Sequence, residues 1–343
     1  MLNVQWLWTS RSVPARLARF ALLPPTILLR AGTALRTQAY RMRLLPRSNP
    51  SIPVIAVGNL TVGGSGKTPM TAWIAQHYAE LGLQPGIVLR GYGGDEGAVH
   101  RRLVEDAIVI ENADRARGIE AAAEAGADVA VLDDAFQRLD VARDLNVVLV
   151  SAESTRAVRW TLPAGPWREG WKALRRADFI VITRKRADAA AARTVADRVG
   201  RVAPKVQIAI ANLGVTRFRG LLGGGEVASR DLAGKRVIAA AGVADPKSFA
   251  AQCRQFGADV RLWQLRDHHP FTAEDVHDML QVSRRVDYVV ITEKDAVKLE
   301  KLWPETAPEP LVASLDVSWD SGRADFVAAL DAAAGQLDDL LLA

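Results

Sequence analysis

The stretch VGNLTVGGSGKTPM, residues 57–70, contains a glycine-rich turn followed by Lys67 and Thr68. It continues the short apolar run SIPVIAVGN and precedes the segment KTPMTAWIAQHYAEL, in which apolar residues recur with helical spacing. A strand, a glycine-rich turn and a helix in this order are the context that a phosphate-binding loop requires. The strict pattern G-x-x-x-x-G-K-[ST] would place glycine where this chain has Thr61. The stretch therefore predicts a nucleotide site with one unexplained residue.

The residues of this loop have separate parts in the predicted site. The glycines let successive backbone N–H groups turn toward the N-terminus of the following helix, where the helix dipole favours an anion. Lys67 is predicted to reach the β- and γ-phosphates, and the Thr68 hydroxyl to hold Mg²⁺. The alternative is a tight strand-to-helix turn without a ligand. The predicted nucleotide-binding residues are Thr61, Val62, Gly63, Gly64, Ser65, Gly66, Lys67 and Thr68.

Two aspartates end a second apolar strand, in the stretch ADVAVLDDAFQ at residues 127–137. The carboxyl ends of parallel strands share one edge of a sheet, so Asp133 and Asp134 are expected at the edge that carries the phosphate loop. Adjacent side chains at a strand end diverge, which lets one serve a metal while the other meets the acceptor. An aspartate pair can equally cap a helix, but after a phosphate loop it favours a catalytic and metal site.

Apolar runs alternate with helical segments along the 343 residues, a length that predicts about two domains. This alternation indicates parallel sheets covered by helices on both faces. The predicted strands are residues 52–57, 86–89, 107–110, 128–132, 146–150, 178–183, 236–241, 260–264 and 288–292, and the predicted helices 67–81, 113–125, 172–177, 245–256 and 272–282. The predicted organisation is an N-terminal helical segment (1–50), a P-loop domain (51–210), a linking β-ribbon (211–225) and a smaller α/β domain (226–343).

Composition narrows the class of protein. Apolar residues make up 49% of the chain and charged residues 24%, which is typical of a globular protein. Cys253 is the only cysteine, so neither an internal disulfide nor a thiolate metal cage is possible, which fits a reducing cytosol. No Asp or Glu precedes Glu80, whereas residues 1–79 hold eight arginines and Lys67. The basic character of the chain is therefore confined to its N-terminal part.

Three interpretations of this basic segment were weighed. A transit peptide is arginine-rich and poor in acids, but the segment here continues directly into the first strand. A transmembrane helix is excluded because the uncharged stretch 20–29 is about half the required length and contains two prolines. A basic apolar surface on an anionic membrane remains, with a solvated helix pair as the alternative. The apolar residues predicted to enter the membrane are Trp6, Trp8, Phe20, Leu22, Leu23, Ile27, Leu28 and Leu29.

Several separated stretches occur together in the order found in one family. They are VGNLTVGGSGKTP, RGYGG, LDDAFQ, LPAGPWRE, DHHPF and TEKDAVKL, between about residues 50 and 300. This set resembles the tetraacyldisaccharide 4'-kinase (lipid A 4'-kinase) family of Gram-negative bacteria, whose own loop carries Thr at the position of Thr61. The resemblance implies transfer of the ATP γ-phosphate to the 4'-hydroxyl of a tetraacylated glucosamine disaccharide 1-phosphate. It also implies two α/β/α domains joined by a β-ribbon, with the active site in the cleft between them.

The same resemblance assigns parts to individual residues. Asp134 matches the family's catalytic aspartate and His268 its histidine partner, so that together they would accept the proton of the sugar hydroxyl. Asp95 and Glu96 resemble the family's GDEP stretch, in which Gly97 of this chain takes the place of the proline. The implied catalytic residues are Asp134, His268, Lys67 and Arg168, and the implied Mg²⁺ ligands are Thr68, Asp133, Asp95 and Glu169.

One residue departs from the family pattern. Where the family commonly reads DDxxQH, this chain reads DDAFQR, so that Arg138 replaces a histidine. Arginine can hold phosphate but cannot shuttle protons near neutral pH. The departure leaves open a different detail of mechanism or a variant acceptor.

Two other classes of nucleotide-binding protein were weighed. A GTPase needs an N/T-K-x-D motif, and neither ITRKRAD at residues 182–188 nor TEKD at residues 292–295 has that spacing. A nucleic-acid ATPase would need a basic groove studded with aromatic residues, which the sequence does not show. The predicted partners are thus a lipid A disaccharide precursor and an anionic membrane surface bound through residues 1–50, with neither nucleic acid nor an obligate protein partner. The predicted location is the cytoplasmic face of the bacterial inner membrane, as a peripheral protein.

Overall fold

The structure is a computed structural model that describes residues 4–91, 95–153, 160–243 and 245–335. Tyr92, Gly93 and Gly94 of the RGYGG stretch lie outside the described residues, as does the end of the predicted second domain, residues 336–343. The chain divides into two compact units. Unit 1 comprises residues 1–90, 106–212 and 319–343, and unit 2 comprises residues 91–105 and 213–318.

The described residues form strands and helices in alternation. The strands are β1 (Val54–Asn59), β2 (Pro85–Leu89), β3 (Ile108–Glu111), β4 (Val129–Leu132), β5 (Leu145–Ser151), β6 (Phe179–Arg184), β7 (Gln207–Gly220), β8 (Glu226–Val227), β9 (Arg236–Ala241), β10 (Asp259–Gln264), β11 (Tyr288–Thr292) and β12 (Leu311–Ser321). The α-helices are α1 (Val4–Thr9), α2 (Val13–Ala21), α3 (Leu23–Arg41), α4 (Lys67–Glu80), α5 (Asp95–Leu103), α6 (Arg115–Glu124), α7 (Ala189–Val202), α8 (Pro246–Arg254), α9 (Ala273–Ser283), α10 (Glu293–Leu299) and α11 (Arg323–Ala334).

Unit 1 is built on a parallel sheet with the strand order β7-β6-β5-β1-β4-β2-β3. All residues of β1, β4 and β5 are buried, as expected for strands covered on both faces. This sheet brings the carboxyl ends of β1 and β4, and with them the loops that follow, to the same edge. The predicted P-loop-type parallel sheet is thereby confirmed.

In unit 2 the strands β10, β9, β11 and β12 are parallel neighbours in that order, β7 lies next to β12, and β8 pairs with β7 in the antiparallel sense. Its core includes Phe218, Val290 and Cys253, and the cysteine is completely buried. Burial raises the pKa of Cys253 to about 12, so its thiol is a small apolar core group.

The chain crosses between the units four times, at positions that differ from the predicted ranges 51–210 and 226–343. The predicted linking ribbon, residues 211–225, overlaps the single strand β7, which with β12 carries the chain from one unit to the other. The segment 91–105 contains α5 and belongs to unit 2, because α5 packs on α10. Helix α11 belongs to unit 1, where Phe326 contacts Phe179 with ring centroids 4.9 Å apart.

Candidate active site

The glycine-rich loop between β1 and α4 is held from both sides. Gly66, with a φ of 88°, precedes the first residue of α4 and adopts a conformation that favours glycine. Asn59 donates from Nδ2 to Ser65 Oγ at 2.6 Å, and the buried Thr183 hydroxyl donates to the Ser65 carbonyl at 2.9 Å. The loop is thus fixed to β1 and to the end of β6, while Gly63 and Gly64 stay exposed.

Thr61, the residue that departs from the strict loop pattern, is buried in an antiparallel bridge to Trp167. On either side of it, Val62 N donates to Pro166 O at 2.8 Å and Arg168 N donates to Leu60 O at 2.7 Å. Thr61 is not among the described non-glycine residues with a positive φ. A β-branched residue suits such an extended, paired position, so glycine is not required there. The same pairing fixes Arg168 beside the loop.

The carboxylate of Asp134 is contacted by two cations of unit 1, Arg168 and Lys67. Its carboxylate accepts hydrogen bonds from Arg168 Nη1 and Nη2 at 2.7 and 2.9 Å, and Lys67 Nζ lies 3.6 Å away. Its φ of 52° is the left-handed region, which aspartate tolerates better than most residues. The neighbouring Asp133 is buried and donates its backbone N–H to Val88 O. The structure therefore brings together three of the four predicted catalytic residues.

A close approach of two backbones makes this arrangement possible. A Cβ built on Gly58 in β1 would lie only 2.5 Å from the backbone nitrogen of Phe136. Around this contact, Ala135 N donates to Val57 O at 2.9 Å and Gln137 Nε2 donates to Asn59 O at 2.9 Å. The turn that carries Asp134 is thus packed directly on β1 because residue 58 has no side chain.

Glu169, a predicted Mg²⁺ ligand, is engaged by an arginine. Both of its carboxylate oxygens accept hydrogen bonds from Arg176, at 2.6 and 2.8 Å. The Arg176 guanidinium in turn lies 4.6 Å from the centre of the Phe136 ring. A bidentate pair of this kind is a strong interaction, so in this structure Glu169 holds Arg176.

His268, the fourth predicted catalytic residue, lies in unit 2 with a different carboxylate beside it. Its Nδ1 is 3.5 Å from Asp95 Oδ2, and the same oxygen is 2.8 Å from Lys298 Nζ. The side chain of His268 is 57% exposed, whereas that of Asp95 is 19% exposed. The sequence paired His268 with Asp134, but the neighbour that the structure gives it is Asp95, which had been assigned to the metal. His269 is instead paired with Asp275 at 3.1 Å.

The TEKDAVKL stretch, one of the motifs that carry the family resemblance, forms α10 with Thr292 before it and supports this pair. Besides Lys298, Glu293 lies 3.3 Å from Arg102 of α5. The buried carboxylate of Asp295 accepts the backbone N–H of Gly242, whose carbonyl accepts the N–H of His268 at 3.0 Å. Burial raises the pKa of Asp295. Helix α10 therefore positions both α5 and the turn that carries His268.

Comparison with known proteins identifies the family. A family model described as "Tetraacyldisaccharide-1-P 4'-kinase" matches residues 18–107 and 93–334. The tetraacyldisaccharide 4'-kinase of Aromatoleum aromaticum is 36% identical over 316 residues, covering 86% of this chain and 88% of the relative. That of Pelobacter propionicus is 34% identical over 347 residues, covering 90% and 91%. The chain belongs to the tetraacyldisaccharide 4'-kinase family.

These matches confirm the family resemblance predicted from the sequence. They also confirm the predicted activity, that of a kinase that acts on a hydroxyl of a lipid A disaccharide precursor. A solved structure supports the fold. The crystal structure titled as the "apo" form of LpxK from Aquifex aeolicus in complex with ATP superposes with a TM-score of 0.73 at 24% identity. It covers 92% of this chain and 99% of that one.

Arg138, the departure from the tetraacyldisaccharide 4'-kinase pattern, is neutralised by a nearby acid. Its Nη2 lies 2.7 Å from Asp140 Oδ2, and the other oxygen of Asp140 is 4.0 Å from Arg36 of α3. Arg138 therefore belongs to a small ion-pair group that links the DDAFQR turn to the N-terminal helices. Its effect on the reaction stays a prediction.

The N-terminal helices dock on unit 1 through a few specific contacts. Trp8 donates from Nε1 to Pro163 O at 3.1 Å, and the buried Arg19 donates to the carbonyls of Leu7 and Ser10. Trp8 is only partly exposed, and so are Leu22 and Leu23, which corrects the predicted apolar surface at these three positions. Among the described residues, no helix is both long and apolar enough to cross a bilayer. The exposed apolar residues of α2 and α3 include Val13, Leu17, Phe20, Ile27, Leu28, Leu29 and Leu35.

Proposed function

We propose that this chain transfers the γ-phosphate of ATP to the 4'-hydroxyl of tetraacyldisaccharide 1-phosphate through the site around Asp134. The observation that carries the proposal is the convergence of Lys67 and Arg168 on one carboxylate beside the glycine-rich loop. A triphosphate bound in the loop would place its own negative charge near the same two cations. We therefore expect Lys67 and Arg168 to contact the phosphates of ATP close to Asp134.

The chain's own groups account for phosphate binding and charge stabilisation. Loop N–H groups and the N-terminus of α4 would bind the phosphates, with Lys67 on the β- and γ-phosphates. Arg168, held by its backbone bond to Leu60, would stabilise the negative charge that develops on the transferred group. A donor already fixed in position needs no reorganisation during the reaction.

The Thr68 hydroxyl and the Asp133 carboxylate form a donor set suited to Mg²⁺. Mg²⁺ prefers oxygen ligands and is commonly held by one or two protein groups together with substrate phosphates and water. When bound, Mg²⁺ would neutralise charge on the phosphates. Glu169 and Asp95, each held by a cation, are left out of this metal proposal.

For the proton of the 4'-hydroxyl, we assign the acceptor to the Asp95–His268 pair. An imidazole whose Nδ1 faces a carboxylate is oriented by it and presents Nε2 as the acceptor. Lys298 holds the same carboxylate oxygen in place. Asp134 remains the alternative acceptor, since the family resemblance favours it.

The lipid end of the substrate is proposed to meet α3. A cavity of about 310 Å³ in unit 1 is lined by Leu29, Thr33 and Arg36 of α3 and by Arg168. Leu29 is one of the exposed leucines of α3, and arginines flank these leucines in the sequence. Such a surface suits an acylated, phosphorylated sugar at an anionic membrane, so we propose a peripheral membrane protein.

The test of the activity supplies purified protein with labelled ATP and the lipid disaccharide 1-phosphate in detergent micelles. We expect a 4'-phosphorylated lipid with ATP and a much lower yield with GTP. Absence of product under conditions in which a known family member forms it would refute the proposal.

The membrane contact is tested separately by sedimentation with vesicles. Leu28→Glu should weaken binding to phosphatidylglycerol vesicles, whereas Leu81→Glu, an equally drastic change at an exposed residue after α4, should not. Equal binding of both variants would contradict the assignment of this surface.

A further inference from the structure

A second lysine lies against the glycine-rich loop and has no part in the site described so far. Lys185 follows β6, and its Nζ is 3.6 Å from the position that a Cβ on Gly64 would occupy. Gly64 is exposed and stands three residues before Lys67, on the outer rim of the loop. The loop therefore has one lysine, Lys67, at the start of α4 and a second, Lys185, beside Gly64.

The backbone around Lys185 is fixed by the partly buried Glu153. Glu153 Oε1 accepts the consecutive N–H groups of Lys185, Arg186 and Ala187 at 2.7, 2.9 and 3.0 Å. Its other oxygen accepts the Ser151 hydroxyl at 2.8 Å. Burial alone would raise the pKa of Glu153, but these hydrogen bonds outweigh it and lower the pKa to about 2. A carboxylate that holds three consecutive amides leaves this turn little freedom.

The end of β6 is also tied to the loop itself. Thr183, two residues before Lys185, donates its hydroxyl to the Ser65 carbonyl at 2.9 Å. The turn that carries Lys185 and the turn that would carry the phosphates are therefore joined by a buried hydrogen bond. The hydrogen bonds from Thr183 and to Glu153 therefore hold Lys185 in its position beside Gly64.

We propose that Lys185 binds the nucleoside end of the nucleotide. The terminal phosphates are directed at Lys67 and the N-terminus of α4, so the rest of the molecule leaves over the opposite rim, where Gly64 lies. Ligands of open α/β sheets bind outside the carboxyl ends of the strands, the edge from which Lys185 projects. Its four-carbon stem offers apolar surface to a flat base, and its ammonium offers donors to ribose or base acceptors. This inference rests on the proposed function for the identity of the nucleotide as ATP.

The test measures binding of ATP, ADP and tripolyphosphate to the full chain by calorimetry. Lys185→Ala should weaken binding of ATP and of ADP about tenfold, the loss expected for one charged hydrogen bond. Tripolyphosphate has no nucleoside, so its affinity should be unchanged. In the lipid kinase assay the variant should raise the KM for ATP with kcat nearly unchanged, because the contact is the same in ground and transition states.

Two further variants keep the test specific. Arg186→Ala removes the adjacent exposed cation and retains the backbone bond to Glu153, so it should bind all three compounds as the wild type does. Glu153→Gln should show the pattern of Lys185→Ala with a smaller loss, because the turn is then less well fixed.

Equal affinity of Lys185→Ala and wild type for ATP would overturn the inference and leave the kinase assignment intact. An equal loss of tripolyphosphate binding would also overturn it, since Lys185 would then bind phosphate. Wild-type protein that binds no ATP would overturn the proposed function and this inference with it.

Discussion

The phosphate loop of unit 1 and the Asp95–His268 pair of unit 2 are built in opposite ways. The loop is one contiguous stretch between β1 and α4, so its residues are neighbours in sequence as well as in space. The pair, with Lys298, brings α5 together with the turn before α9, about 170 positions later in the chain, and with α10, about 200 positions later. Local sequence can specify the first arrangement, whereas only the folded unit reveals the second.

The largest effect is expected from the local site. Lys67→Ala removes the cation at the start of α4 and should lower kcat of lipid phosphorylation by about 10² to 10³-fold, the usual cost of one preorganised charge donor. Asp134 keeps its bidentate partner Arg168, so the thermal unfolding temperature should change little. The kinase assay and a thermal melt measure the two quantities. Activity near that of the wild type would show that the loop does not bind the transferred phosphate.

The next prediction decides which carboxylate works with His268. Asp95→Asn keeps the size of the side chain and removes the charge beside Nδ1, and should lower kcat about 10²-fold and change the shape of the pH–rate profile. Asp134→Asn should lower the rate through its effect on Lys67 and Arg168 but keep the wild-type shape. The opposite result would assign proton transfer to Asp134 and reduce Asp95 to a structural acid.

The partly buried Glu153 of unit 1 and the buried Asp295 of unit 2 extend the comparison to stability and predict opposite trends with pH. The pKa of Glu153 is lowered from 4.5 to about 2 by hydrogen bonds, so its stabilisation is present above pH 4.5 and is lost as the pH falls toward 2. Glu153→Gln should therefore cost about 1 to 2 kcal/mol of unfolding free energy at pH 7, since solvent screens this partly exposed side chain, and progressively less below pH 4.5.

For Asp295 the sign is reversed. Burial raises its pKa, so the charged form costs stability near pH 7 and that cost disappears as the pH falls through the raised pKa. Relative to Asp295→Asn, the wild type should gain stability as the pH decreases. Urea unfolding of wild type and both variants at several pH values measures these trends, and parallel trends would contradict one of the two pKa directions.

Much of unit 1 could be predicted from sequence because its signals are local. Apolar β-branched runs indicate β1, β4 and β5, and the loop glycines indicate the anion site. Thr61 looked anomalous because its pairing with Trp167 depends on a segment about 100 residues away. The contact of Lys298 with Asp95 and that of Lys185 with Gly64 are equally nonlocal, and no spacing in the sequence shows them. A basic residue directly after a strand end was the one available signal for Lys185.

The smallest predicted effects concern two glycines that permit close approach, one beside each site. A Cβ at Gly58 would meet the Phe136 backbone at 2.5 Å, whereas one at Gly242 would meet the Asp295 carboxylate at 2.9 Å. Backbone cannot yield as a side chain can, so Gly58→Ala should cost about 1 to 3 kcal/mol and Gly242→Ala less. Gly242→Ala should nevertheless lower activity by displacing the turn that carries His268. Urea unfolding measures the stability losses, and the kinase assay measures the activity. A larger stability loss for Gly242→Ala than for Gly58→Ala would mean that the turn carrying His268 is packed more rigidly than the phosphate loop.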